Sequence, residues 1–377
     1  MVVGTLRSKA QVIIAVMIFG LTYGLSAPLI ALKLTSAGYS ETSVGLNAAM
    51  HAVGVFIIAP FLPSLCRRVP PRTLLFVSLI STLVLLLLFP FTPIVFWFAL
   101  RLGLGIFAEI ILVVTETWLN QVTVEVARAK TIAIYTASLS LGFALGPVIL
   151  AWNSSSDSNA FIAGALITLM AAVIILFSQL EHTVFAEDKS LSLWRFFQLA
   201  PLAMAATALN GALEAAGMNL LVLYAMSLGW VEHQATLLIS VLLLGAILLQ
   251  LPIGWLADRV NRQNLLVVLT LLSTLGALVW PLALTQFWLA YTLLFFWGGI
   301  FVGIYTVMIT LVGQQFKGGE LTGVYAAMSI AWGVGALLGP ALGGMAMSLS
   351  THGLPFLAAL LCGMFLLLLL RKSKVWK

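Results

Sequence analysis

Four charged side chains interrupt otherwise apolar runs of this chain: Arg101, Glu109, Glu116 and Glu214. A charge within a lipid-covered helix is costly and usually faces a cavity or a partner. Arg101 and Glu109 are eight positions apart. On a helix that is about 12 Å of rise and an 80° turn, so each is expected to find its partner on another helix or in water. Glu116 follows seven positions after Glu109 on nearly the same face, with Asn120 one turn further; the pair reads as structural or gating ahead of substrate binding. Glu214 has Asn210 one turn before it and Gly217 and Met218 one turn after, a polar and small face on an apolar helix. A carboxylate held out of water keeps its proton more readily, so Glu109 or Glu214 could load and release a proton near neutral pH. The competing reading is a permanently protonated or paired Glu that bridges helices. Asn47 and His51 stand one turn apart, and His51 is either a second proton or substrate contact or a histidine bonded to a neighbouring helix. Tyr23, Ser26, Tyr135, Tyr305, Thr306, Tyr325, Ser329 and Trp332 would add polar tips to an apolar lining suited to an amphipathic organic molecule; some of them could equally anchor helices at the membrane surface.

The elements that must carry these groups are membrane spans. Of 377 residues, 62% are hydrophobic and 8% charged, with mean hydropathy +1.13, whereas soluble domains average about 25% charged residues. Runs of about 20 apolar residues are long enough to cross a bilayer. Twelve are expected, at 10–32, 42–65, 73–90, 93–120, 129–152 and 159–180, then 196–228, 233–257, 263–283, 285–313, 320–349 and 352–371. The fold class is therefore all-α integral membrane protein. The apolar run after Arg7 and Lys9 is too long for a cleavable signal peptide. Two cysteines, Cys66 and Cys362, make no disulfide framework or metal cluster. No nucleotide loop, metal site, cofactor motif or catalytic nucleophile is expected.

Orientation follows from the basic residues. With the N-terminus inside, 16 of the 18 Lys and Arg fall on the cytoplasmic side, all but Lys33 and Arg101. The net charge of +6 then serves topology, not nucleic acid. Both termini are expected in the cytoplasm of a cell that carries the protein in its inner or plasma membrane.

The chain also echoes itself. PSLCRRVPPR at 63–72 and GWLADRVNRQ at 254–263 align with an offset of 191 (Arg68 against Arg259). GFALGP at 142–147 recurs as GALLGP at 335–340, offset by 193. The glycines Gly142 and Gly146, and Gly335 and Gly339, lie at i and i+4 and clear one helix face for a close neighbour; Pro147 and Pro340 bend their spans. Two six-helix halves, 1–181 and 196–377, joined by a cytoplasmic loop at 182–195, are expected.

With those motifs in place, the sequence resembles the major facilitator superfamily over essentially its whole length. Gly254, Asp258, Arg259 and Arg262 match the family's cytoplasmic loop signature, Arg101 and Gly105 its fourth-helix pattern, and Gly142, Gly146 and Pro147 its fifth-helix pattern, associated there with antiporters. TETWLNQ at 115–121 and LQLPIGWLADR at 249–259 resemble the YcaD-like branch. The resemblance implies alternating access between two rocking halves. It implies a monomeric secondary transporter with a small-molecule substrate and protons as partners, and export of small amphipathic compounds through proton coupling. Uptake of a small, possibly anionic solute by proton symport is the alternative, with Arg101 binding the anion; lipid translocation and membrane sensing are further ones. The family usually keeps an Asp in the first-half loop, where this chain has Arg67, so only the loop with Asp258 retains the acid for a cytoplasmic latch. An Asp258→Asn variant is accordingly expected to slow transport cycling much more than neutralising Arg67; equal effects in a reconstituted flux assay would contradict an asymmetric latch.

Overall fold

The computed structural model describes residues 6–152, 159–178, 180, 193–316 and 318–372, and every regular element among them is helical. Fifteen α-helices follow in order: α1 Leu6–Ser36, α2 Glu41–Ile58, α3 Leu62–Arg68, α4 Pro71–Leu88, α5 Trp97–Val122, α6 Glu125–Trp152, α7 Asn159–Leu176, α8 Leu193–Leu199, α9 Pro201–Ser227, α10 Glu232–Leu248, α11 Gln250–Arg259, α12 Arg262–Ala283, α13 Phe287–Gln315, α14 Gly318–Leu349 and α15 Gly353–Lys372. They make twelve stretches long and apolar enough to cross a membrane. The expected loop at 182–195 lies largely outside the described residues, as does the Arg67 side chain.

The polarity of the helix faces shows which solvent they meet. On α12 the buried face includes Thr270 and Ser273, whereas Val268, Leu271, Leu272, Leu275, Leu278, Val279 and Leu282 are exposed. The apolar face points outward, the arrangement a lipid surround demands. Buried hydroxyls satisfy themselves on their own helices: Thr22 donates to Ile18 O, Thr168 to Gly164 O and Thr270 to Leu266 O, at 2.7–3.0 Å.

Three expected spans are interrupted. The second is broken by a 3₁₀ turn at Ala59–Phe61, so that α2 and α3 are separate. Pro60 explains it, since it removes a backbone donor and crowds the carbonyl four residues back. The eighth breaks at Leu249, between α10 and α11, one turn before Pro252, and this break occupies the same place in the repeat as the first. The seventh does not run from 196: α8 ends at Leu199, and Ala200, at φ −129° and ψ 55°, leads into Pro201 at the first turn of α9. A residue before proline is pushed out of the helical region.

Two compact units emerge: residues 1–34 with 50–188, and 35–49 with 189–377. In the first unit, a Cβ added at Gly20 or Gly24 would overlap the backbone of Leu139 or Phe143, and one at Gly142 or Gly146 the backbone of Met17 or Gly24 and Leu25, so α1 and α6 touch along matched glycines. Gly54 and Gly105 bring α2 against α5 in the same way, at Leu102 O and His51 O. The second unit repeats both contacts. Gly211 meets Trp332 O, and Gly335 and Gly339 meet Ala208 O and Ala212 O, joining α9 to α14; Gly245 and Gly298 join α10 to α13 at Phe295 O and Leu242 O. The N-terminal turns of α2, which belong to this unit, join α14 likewise through Gly45 and Gly344, with Thr42 Oγ1 hydrogen-bonded to Ser348 Oγ at 2.9 Å.

Backbone contacts of this closeness leave no volume for a side chain. Gly146→Leu and Gly335→Leu are each expected to lower the thermal unfolding midpoint in detergent, overpacking typically costing about 1–3 kcal/mol. Gly254→Ala, where a Cβ would meet nothing within 4 Å, should leave it unchanged. Unaltered midpoints in both leucine variants would contradict the packing scheme.

Candidate functional site

In the second unit the glycine contact between α9 and α14 brings Glu214 to Trp332, 118 positions away in sequence. Gly211 touches the Trp332 backbone, and one helical turn on from Asn210 the Glu214 carboxylate receives two donors on one oxygen. Asn210 Nδ2 donates to Oε2 at 3.3 Å and Trp332 Nε1 donates to the same Oε2 at 3.4 Å. Asn210 is 7% exposed and its Oδ1 accepts no hydrogen bond from the described residues. A Cβ at Gly217, one turn beyond Glu214, would meet open space. Leu213, Gly217, Trp280 and Trp297 line part of a small apolar cleft beside α9, whose lining includes neither Glu214 nor Asn210. The sequence places Asn210 and Gly217 beside Glu214 through helical spacing alone; Trp332 stands out there as a lining residue, and its tie to Glu214 is a tertiary contact.

In the first unit, Arg101 is 1% exposed. Its guanidinium lies 5.9 Å from the centroid of the Tyr23 ring, which packs against His51 at 4.9 Å and Phe143 at 5.4 Å. The α2–α5 glycine contact is what carries His51 to Arg101. His51 Nδ1 is buried without a hydrogen-bond partner among the described residues. Glu109 lies within electrostatic reach of Glu116 on the same helix, both near Tyr135. Tyr135 OH is hydrogen-bonded to Thr115 Oγ1 at 3.1 Å. Asn120 turns back on its own helix, Nδ2 donating to Glu116 O at 3.1 Å. Asn47, assigned with the second unit, buries Nδ2 without a partner among the described residues.

The charged junction after α11 is held locally. Arg262 donates from Nη2 to Asp258 Oδ1 and from Nε to Ala257 O, both at 2.9 Å. Asp258 is 72% exposed and Arg262 18%, so water screens the pair strongly and it adds little stability by itself. Arg259 lies 4.0 Å over the Trp255 ring. Asn261 caps α12, its Oδ1 accepting from Gln263 N and Asn264 N at 2.9 and 3.1 Å. In the matching first-half junction Arg72 donates to Leu176 O at the end of α7, a cation at a helix C-terminus, where the macrodipole favours it.

Sequence reasoning missed two polar pairs in the second unit. Thr306 donates to Gln250 Oε1 at the α10–α11 break. Tyr224 OH and His352 Nδ1 lie 3.1 Å apart at the end of α9. Gln250 sits beside the break that Pro252 signals, but nothing in the sequence marks Tyr224 against His352. Among the described residues no three His, Cys, Asp or Glu are grouped to hold a metal ion.

The described residues thus give paired helices with matched glycine contacts in each unit, twelve candidate spans, and polar groups set on α1, α5 and α9. The family model for the Major Facilitator Superfamily matches residues 12–230 and 202–376. The chain belongs to this superfamily. It is 30% identical, over 97% of its length and 95% of the relative's, to the uncharacterized MFS-type transporter YfkF of Bacillus subtilis. It is 25% identical to the MFS-type transporter YcaD of Salmonella dublin, over 92% of this chain and 90% of that one. Among solved structures it is similar to the nucleoside transporter NupG, with TM-score 0.77 and 13% identity over 99% and 98% of the two chains. It is also similar to a bacterial homologue of the human lysosomal transporter Spinster, with TM-score 0.73 and 14% identity over 96% and 92%. At those identities the structures speak to fold alone. Membership in the superfamily makes the protein a multi-pass membrane transporter of small molecules, not an enzyme.

Proposed function

We propose that the protein exports small amphipathic organic compounds in exchange for protons. It does so by alternating access of two six-helix halves, 1–181 and 196–377, with both termini in the cytoplasm of a bacterial cell and the protein in its inner membrane. The observation that carries this reading is Glu214, a carboxylate on a membrane span held by Asn210 and Trp332 on a single oxygen. A proton on that carboxylate removes its charge, and the charge returns when the proton leaves. Either state changes what the α9–α14 face holds, which gives a proton and a substrate one shared site. Glu109 and Glu116, seven positions apart on α5, offer a second carboxylate site. Asp258 and Arg262 pair at the α11–α12 junction, and their release is the step assigned to opening of the cytoplasmic side.

A second reading is supported by Arg101. A guanidinium buried against Tyr23 and beside His51 suits an anionic group on a solute taken up with protons, since Arg presents planar donors to a carboxylate or phosphate.

The test is flux in proteoliposomes under an imposed pH gradient, comparing the native chain with Glu214→Gln, Glu109→Gln and the double variant. Glu214→Gln is expected to abolish pH-driven accumulation while leaving the protein folded. Undiminished pH-driven flux in all three would overturn the proton assignment. Stimulation of uptake instead of export, lost in Arg101→Gln, would favour the second reading.

A further inference from the structure

The carboxylate of Glu214 lies within a membrane span, and among the described residues of its unit no Lys or Arg stands on α9, α10, α13 or α14. Among the unit's described residues, Arg195 precedes α9, Arg259 and Arg262 flank the α11–α12 junction, and Arg371 and Lys372 end α15. An isolated carboxylate taken out of water is strongly disfavoured unless it is protonated or a cation reaches it. Two donors already converge on Oε2, from Asn210 Nδ2 and Trp332 Nε1, while Oε1 takes no hydrogen bond from the described residues. One turn earlier on the same helix, the 7%-exposed Asn210 holds Oδ1 without a donor among the described residues. One turn later, open space lies where a Cβ at Gly217 would sit. The arrangement therefore offers two acceptors unmet by the described residues, one of them formally charged.

We propose that Glu214 and Asn210 form a seat for an organic ammonium group that donates one N–H to the Glu214 carboxylate and a second to Asn210 Oδ1. The transported compounds are then amphipathic primary and secondary amines. A protonated primary amine carries three N–H donors, and each methyl added to nitrogen removes one without removing the charge. Two acceptors need two donors. Affinity should hold from the primary to the N-methyl amine, then fall at the N,N-dimethyl amine and again at the N,N,N-trimethyl ammonium. This inference rests on the export reading for its direction, but the binding chemistry stands apart from it.

The experiment is equilibrium binding to the purified full chain in detergent, with no gradient, at one neutral pH. The probes are 2-(2-naphthyl)ethylamine, its mono-, di- and trimethylated forms, and neutral 2-naphthylacetamide, which keeps two N–H groups and lacks the charge. Each step down is expected to cost about tenfold or more, the usual contribution of a hydrogen bond to a charged group, and the amide should bind worst of the two-donor probes. In Asn210→Leu, with one acceptor left, the dimethyl form should bind as well as the monomethyl form, a displacement of the step that general destabilisation does not produce. Equal affinity across the methylated series, or an amide that binds as well as the primary amine, would overturn the proposal. Stepped binding without pH-driven flux would uphold the amine seat and overturn the coupling reading; flux without the steps would do the reverse.

Discussion

The hydrocarbon core of a bilayer holds no water, so a polar group placed there must find its partner within the protein. Every informative feature of this chain follows from that constraint. Buried threonines bond back to their own helices at Ile18, Gly164 and Leu266. Helices packed without a hydrophobic driving force between them rely on close van der Waals approach, hence the glycine contacts of α1 with α6, α2 with α5, α9 with α14 and α10 with α13. Against that background Glu214, held on one oxygen and bonded on the other by none of the described residues, is conspicuous.

The glycine contacts do two things at once. They bind helices into each unit, and they bring chemistry together from distant sequence. Gly105 against His51 O sets the histidine near Arg101, and Gly211 against Trp332 O sets the indole on Glu214. A packing motif thereby fixes the geometry of a polar site. The repetition of the scheme in the two units reflects the internal repeat carried by GFALGP and GALLGP.

Much of this architecture is legible in the sequence, because the twelve apolar runs and the family motifs are local signals. The helix breaks were in principle legible too: Pro60, Pro63, Pro252 and Pro201 each stand at or one turn from an interruption, but apolarity masks them when length is the criterion. Site geometry is less accessible. Asn210 beside Glu214 follows from helical period, whereas Trp332 on Glu214, Tyr224 on His352 and Arg101 over Tyr23 join residues 78 to 128 positions apart. The eight-residue spacing of Arg101 and Glu109 points each to a partner off its own helix, but which partner Arg101 meets, Tyr23 on α1 and His51 on α2, depends on the glycine contact between α2 and α5.

The central claim is that Glu214 exchanges a proton while embedded in the membrane. Infrared difference spectroscopy of the reconstituted protein across a pH step tests it most directly, native chain against Glu214→Gln. The account predicts a protonated-carboxyl C=O band that appears as pH falls and is missing from the variant. A native spectrum whose carboxyl bands all persist in Glu214→Gln would contradict it.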